Sequence, residues 1–212
     1  VIDPDTPFDR NNAKIAITMP RFTLLRRRDG IFQKRNEPYV VSVAVDAAQN
    51  QANPSIDFNA LPFPNVVAGD EIRMLGHGHL FYGPRHPGAW VALSVLFMES
   101  DQDLRDLGTR VNRVVQSKAT DLAMKTVLAA KPGFGPVIGL LKELTQLVAA
   151  ELQSNKDDEL FRTHGIFLRD HPVPFDINRV YHRSNEFIEA EIKVTPLDAP
   201  NGQGSMIQSL TL

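Results

Sequence analysis

No cysteine occurs among the 212 residues. That excludes disulfides, thiol catalysis and cysteine-held zinc, and it leaves the redox compartment open. Long apolar runs are missing too, since nothing approaches the ~20 residues that a membrane-spanning helix needs. Charge of one sign is not in excess: 23 Lys and Arg face 25 Asp and Glu, which argues against a general nucleic-acid binder. The sequence carries no phosphate-binding glycine pattern, no nucleophile elbow and no histidine-based protease motif. A non-enzymatic role is therefore expected, with a hydrolase using His and acidic residues as an alternative. The chain opens at Val1 without a signal-peptide pattern, as a processed product or a piece of something larger would.

What is present fits one β-rich domain over residues 1–212. Hydrophobic residues make up 42% of the chain, which is ordinary for a globular protein with a real core. Residues 14–25 alternate, with Ile15, Ile17 and Met19 on one side, and residues 39–45 are alternating and β-branched. Residues 90–98 are almost continuously apolar, which predicts a central strand buried on both faces. Residues 71–80, 165–168 and 187–194 complete the set of strands. Residues 50–65 and 83–88 read as proline-bearing connections. Short strands joined by such loops predict a mainly β fold, an antiparallel β-sandwich. The ends, 1–7 and 195–204, read as arms or linkers, and 206–212 as an edge strand that docks back.

The middle departs from this pattern. Leu107, Val111, Val114, Val115, Leu122 and Met124 fall at roughly helical spacing and predict a helix over 109–130, stopped by Lys131-Pro132-Gly133. A second helix follows, with Pro136 in its first turn. Its apolar stripe comprises Val137, Leu140, Leu141, Leu144, Leu147, Val148 and Leu152. Together these predict an α-helical hairpin inserted at about 109–155. The stripe packs either within the domain, on its own sheet or the partner helix, or against another protein. Since a loop extension costs little entropy, the insertion is expected to be removable and to contact a partner.

Two segments carry the candidate chemistry. Asp29-Gly30 with Asn36-Glu37-Pro38-Tyr39-Val40 is one, and Glu99, Asp101, Asp103 and Asp106-Leu107-Gly108 the other. In each, an apolar strand meets a loop with closely spaced carboxylates, which is how a β-sandwich gathers oxygens for a hard cation. The same acids also fit a solvated loop in which Asp101 or Asp106 caps the helix beginning near Leu107.

Over roughly residues 14–108 this layout resembles the C-two domain, the calcium- and lipid-binding β-sandwich of protein kinase C and synaptotagmin. That family places aspartates around a first loop before a Ser-Asp-Pro-Tyr-Val strand start, where this chain has Asn36-Glu37-Pro38-Tyr39-Val40. Its later loop carries acids two apart and another shortly before a glycine, as Glu99, Asp101, Asp103 and Asp106 do here. Glu37 and Glu99 depart from the family's aspartates, and the extra methylene moves each carboxylate outward. The resemblance implies calcium as cofactor, with Asp29, Glu37, Glu99, Asp101 and Asp106 as its metal ligands.

Arg26, Arg27 and Arg28 flank the first loop and Phe32 lies within it. They read either as contacts to an anionic phospholipid membrane surface or as a solvated hairpin tip whose charges discourage edge pairing. His77 and His79, one residue apart, would share a face if both lay on a strand, a spacing that suits zinc. The function expected is a non-enzymatic binding or targeting module that recognises a membrane surface or a protein partner, with or without calcium dependence. A structural or assembly domain of a larger protein is the alternative.

Overall fold

The computed structural model describes residues 8–26, 37–48, 56–100, 134–153 and 157–197, with Thr109 and Arg113. Ten strands and one long helix are described: β1 (Ile15–Met19), β2 (Arg21–Leu24), β3 (Pro38–Asp46), β4 (Ile56–Pro62), β5 (Glu71–Arg73), β6 (His79–Arg85), β7 (Trp90–Glu99), α1 (Phe134–Gln153), β8 (Asp158–Leu168), β9 (Val180–Ser184) and β10 (Ile188–Pro196). They form two antiparallel sheets, which bears out the mainly β expectation.

In the first sheet β10 lies at the centre. Its length is shared by β1, which pairs as Ile15↔Pro196, and β2, which pairs as Ile188↔Leu24. The predicted strand over 14–25 is thus two strands broken at Pro20, whose missing N–H cannot join a ladder; its carbonyl instead accepts from Met74 N at 2.9 Å. β9 flanks β10 on the other side, β6 pairs with β1, and β5 pairs with β2. The second sheet has the order β4–β3–β7–β8.

Period-two alternation explains the layering. On β7, Val91, Leu93, Val95 and Phe97 join a core shared with Ile15, Ile17, Phe22, Ile192 and Val194 of the first sheet. Trp90, Ala92, Leu96 and Met98 point the other way, with Tyr39, Val41, Val43 and Val45 of β3. That outer face is covered by α1 through Val137, Leu141, Leu144, Val148, Ala149 and Leu152. Burial on both faces is why β7 reads as an unbroken apolar run.

Several expectations need correction. The residues 56–62 inside a predicted connection form β4, and 83–85 inside another belong to β6. β9 was not foreseen, and β8 begins seven residues earlier than the segment 165–168. Of the predicted helical hairpin, the second arm is described as α1. Of the first arm only Thr109 and Arg113 are described, both helical, with Arg113 Nη1 3.2 Å from Glu151 Oε1. The remainder of 109–130, like the edge strand expected over 206–212, lies outside the described residues.

Candidate functional site

The register of the second sheet brings the two acid-bearing segments together. Pro38 pairs with Glu99, and Glu99 with Asp158, across adjacent strands. Ser100 N donates to Glu37 O at 3.3 Å. Tyr39 OH donates to Asp157 Oδ2 at 2.5 Å, and Ser100 Oγ to Asp157 Oδ1 at 3.3 Å. Enclosed carboxylates are costly unless hydrogen-bonded, and Asp157 meets that condition through these two hydroxyls. Glu99 is only 3% exposed, so it sits at a closed strand end rather than on an open loop. Asp29, Asp101, Asp103 and Asp106 lie outside the described residues. Among the described residues, no group of three or more His, Asp or Glu side chains is placed to hold a metal ion.

The basic segment starts from the same end of the molecule. Leu25 N donates to Phe187 O at 2.7 Å and Gly69 N to Leu24 O at 2.7 Å, which gathers three chain segments around the end of β2. Phe22 meets Phe63 edge-on at 4.7 Å and lies tilted against Phe97 at 5.2 Å, and Phe63 N donates to Pro38 O at 2.8 Å. These contacts tie the end of β2 to the start of β3. Arg26 pairs with Glu186 at 3.1 Å in an exposed ion pair that contributes little to stability. Leu25 and Val67 are 43% and 38% exposed beside it. Arg27, Arg28 and Phe32 lie outside the described residues.

The two histidines do not share a strand face. His77 lies exposed in the turn between β5 and β6, whereas His79 opens β6 and packs its ring edge-on to Phe81 at 5.4 Å. Its Nε2 is buried with no hydrogen-bond partner among the described residues. Burial lowers the His79 pKa to about 4 from 6.5, because the charged ring would lose water without gaining an acid. The fold therefore favours neutral His79. Its contribution to stability is complete above pH 6.5 and is lost as the pH falls from there toward 4. Urea melts across that range should show a decline that is smaller in His79→Phe.

Two constellations were not anticipated. Asp46, at the end of an otherwise apolar strand, accepts from Tyr82 OH at 2.8 Å, Arg85 Nε at 2.6 Å and Ala48 N at 3.1 Å. Arg85 reaches on to Asp57 at 2.9 Å and lies over the Tyr82 ring at 4.4 Å. Burial and the neighbouring Asp46 carboxylate raise the Tyr82 pKa, so it remains a donor. This network pins β3 to β6 below an open cleft of about 400 Å³, whose walls include Asp57, Asn59 and Arg85. The one sequence signal was a carboxylate closing the apolar run 39–45.

The second constellation surrounds Tyr181. Phe175, Asp176 and Asn178 all have positive φ, at 54°, 50° and 63°, a region that non-glycine residues enter at a cost. The resulting turn presents Asp176 to Tyr181 OH at 2.5 Å and to His171 Nδ1 at 3.2 Å. Burial, then the bond to Asp176, raises the Tyr181 pKa to about 12. Its phenol therefore stays protonated and fixed. Compared with known proteins, the chain matches no family model and no curated sequence.

Proposed function

We propose that this chain is a non-enzymatic binding module, a C-two-like β-sandwich that contacts an anionic phospholipid surface through the end bearing Leu25, Arg26 and Val67. The observation that carries this reading is the placement of Arg26 and Glu37. They stand at the same end of the molecule, and in sequence they bracket the segment that carries Arg27, Arg28 and Phe32. Exposed Leu25 and Val67 add apolar surface beside the cations. That combination suits a headgroup layer, where each basic residue contributes about 1 kcal/mol.

Calcium would have to draw on both acidic segments. It takes about six to eight oxygens, more than Glu37 and Glu99 can supply alone. Asp29, Asp101 and Asp106 would provide the others. Preferential binding to the folded chain must raise its melting temperature by mass action.

Sedimentation with phosphatidylserine-containing vesicles, against phosphatidylcholine alone, tests the lipid reading in calcium and in chelator. The chain should pellet with the anionic vesicles. Replacing Arg26, Arg27 and Arg28 by Gln should weaken binding by about 3 kcal/mol, roughly 100-fold. Failure to pellet in both conditions would overturn the lipid reading and leave a protein partner in its place. Separately, millimolar calcium should raise the melting temperature of the parent chain but not of Asp101→Asn. Neither a shift nor a heat of binding in the parent chain would remove calcium from the proposal.

A further inference from the structure

We propose that the seam between β8 and β9 is a binding site for a small branched-chain carboxylate. Among the described residues β8 forms a strand ladder only with β7, and β9 only with β10, while Asn185 Nδ2 donates across the seam to Leu160 O at 2.8 Å. The two sheets thus present open edges to each other on this side. A pocket of about 100 Å³ lies between them. It is smaller than the ~150 Å³ cavity that accepts benzene, which favours a short branched chain over a ring.

The lining has two halves of different chemistry. Leu93, Val95 and Ile192 form an apolar floor and are all core residues. Phe167 and Tyr181 meet edge-on at 5.5 Å and wall one side. Gly165 lines the opening, and a Cβ built on it would meet nothing within 4 Å. The space beside Gly165 is therefore open, and a larger side chain there would extend into it. Tyr181 cannot swing to fill the pocket because Asp176 holds its hydroxyl.

Arg183 supplies the polar half. Its register partner is Ala190 and that of Tyr181 is Ile192, both core residues, so Arg183 and Tyr181 share the face of β9 turned to the pocket, with Arg183 exposed at its mouth. The guanidinium carbon stands 5.5 Å from the Tyr181 ring centroid. Its Nη1 donates to His182 O at 3.2 Å, and Arg183 makes no ion pair among the described residues. Neighbouring arginines differ: Arg162 is paired with Glu159, Arg169 with Asp170, and Arg179 with Asp176. A planar cation beside an apolar pocket complements a carboxylate on an apolar chain, because guanidinium and carboxylate match in two parallel hydrogen bonds. Asp176 is the acid on this side, and its charge is taken up by Tyr181, His171 and Arg179.

Isovalerate and its uncharged counterpart isovaleramide are the probes, read by NMR shifts of the Leu93, Val95 and Ile192 methyl groups. Isovalerate should shift these methyls and bind at least about tenfold more tightly than the amide, the scale of one charge-assisted hydrogen bond. Arg183→Gln should remove that preference while leaving amide binding unchanged. Gly165→Val, whose β-branched side chain suits a strand, should abolish binding of both with the urea midpoint retained. If the valine variant fails to fold, Gly165→Ala replaces it and should weaken both ligands. Methyl groups unmoved by saturating isovalerate, or equal binding of acid and amide to the parent chain, would overturn the proposal. Arg183 would then be only an exposed charge that protects the β9 edge from pairing.

Discussion

Phe97→Ala is expected to cost ~3–5 kcal/mol, enough to remove much of the stability of an ordinary domain. Phe97 is fully buried and belongs to the core shared by both sheets. Its ring lies 5.2 Å from Phe22 of the first sheet and 6.1 Å from Phe161 of β8. Truncation therefore leaves a cavity bordered by Phe22 and Phe161, whose strands β2 and β8 cannot close on it without disturbing their ladders. Urea unfolding should show a lower midpoint with little change in slope, since the surface exposed on unfolding is nearly the same. A loss below about 1 kcal/mol would mean that the two sheets do not meet at this residue.

Removing residues 109–155 behind a short Gly-Ser linker is expected to yield an aggregated chain. The sequence suggested a removable, partner-facing insertion, but α1 spends its apolar stripe on the second sheet. Without it, Tyr39, Val41, Val43, Leu96 and Met98 would face water on two adjacent strands. Each buried side chain of this kind contributes about 1.5–3 kcal/mol, and a contiguous apolar face of that size drives association. Leu144→Asp should produce a milder form of the same defect, because Leu144 is fully enclosed and its replacement would bury an unpaired carboxylate. Size-exclusion chromatography and the near-ultraviolet signal of Trp90 report the outcome. A monomeric deletion variant with a cooperative melt would instead establish that the helix is dispensable.

Strands with buried faces were legible because one buried face leaves alternation and two leave an unbroken apolar run. The patterns over 39–45, 90–98 and 187–194 became β3, β7 and β10. The edge strands β4 and β9 were not legible. β4 alternates as Ile56-Asp57-Phe58-Asn59 but sits between Pro54 and Pro64, which mark a connection, and β9, Val180-Tyr181-His182-Arg183, is too short to alternate clearly. Propensity alone does not separate such an edge strand from a loop.

The sequence by itself determined that the chain is mainly β, that β7 is buried on both faces, and that an amphipathic helix covers something apolar. These follow from residue-by-residue periodicity, which needs no knowledge of neighbours. Only the tertiary structure decided what the helix covers, that Glu37 and Glu99 belong to one strand end, and that Asp46, Tyr82 and Arg85 form one network. Those outcomes depend on strand order and register. A shift of one residue would turn every side chain to the opposite face, and no single segment of the chain encodes which register wins.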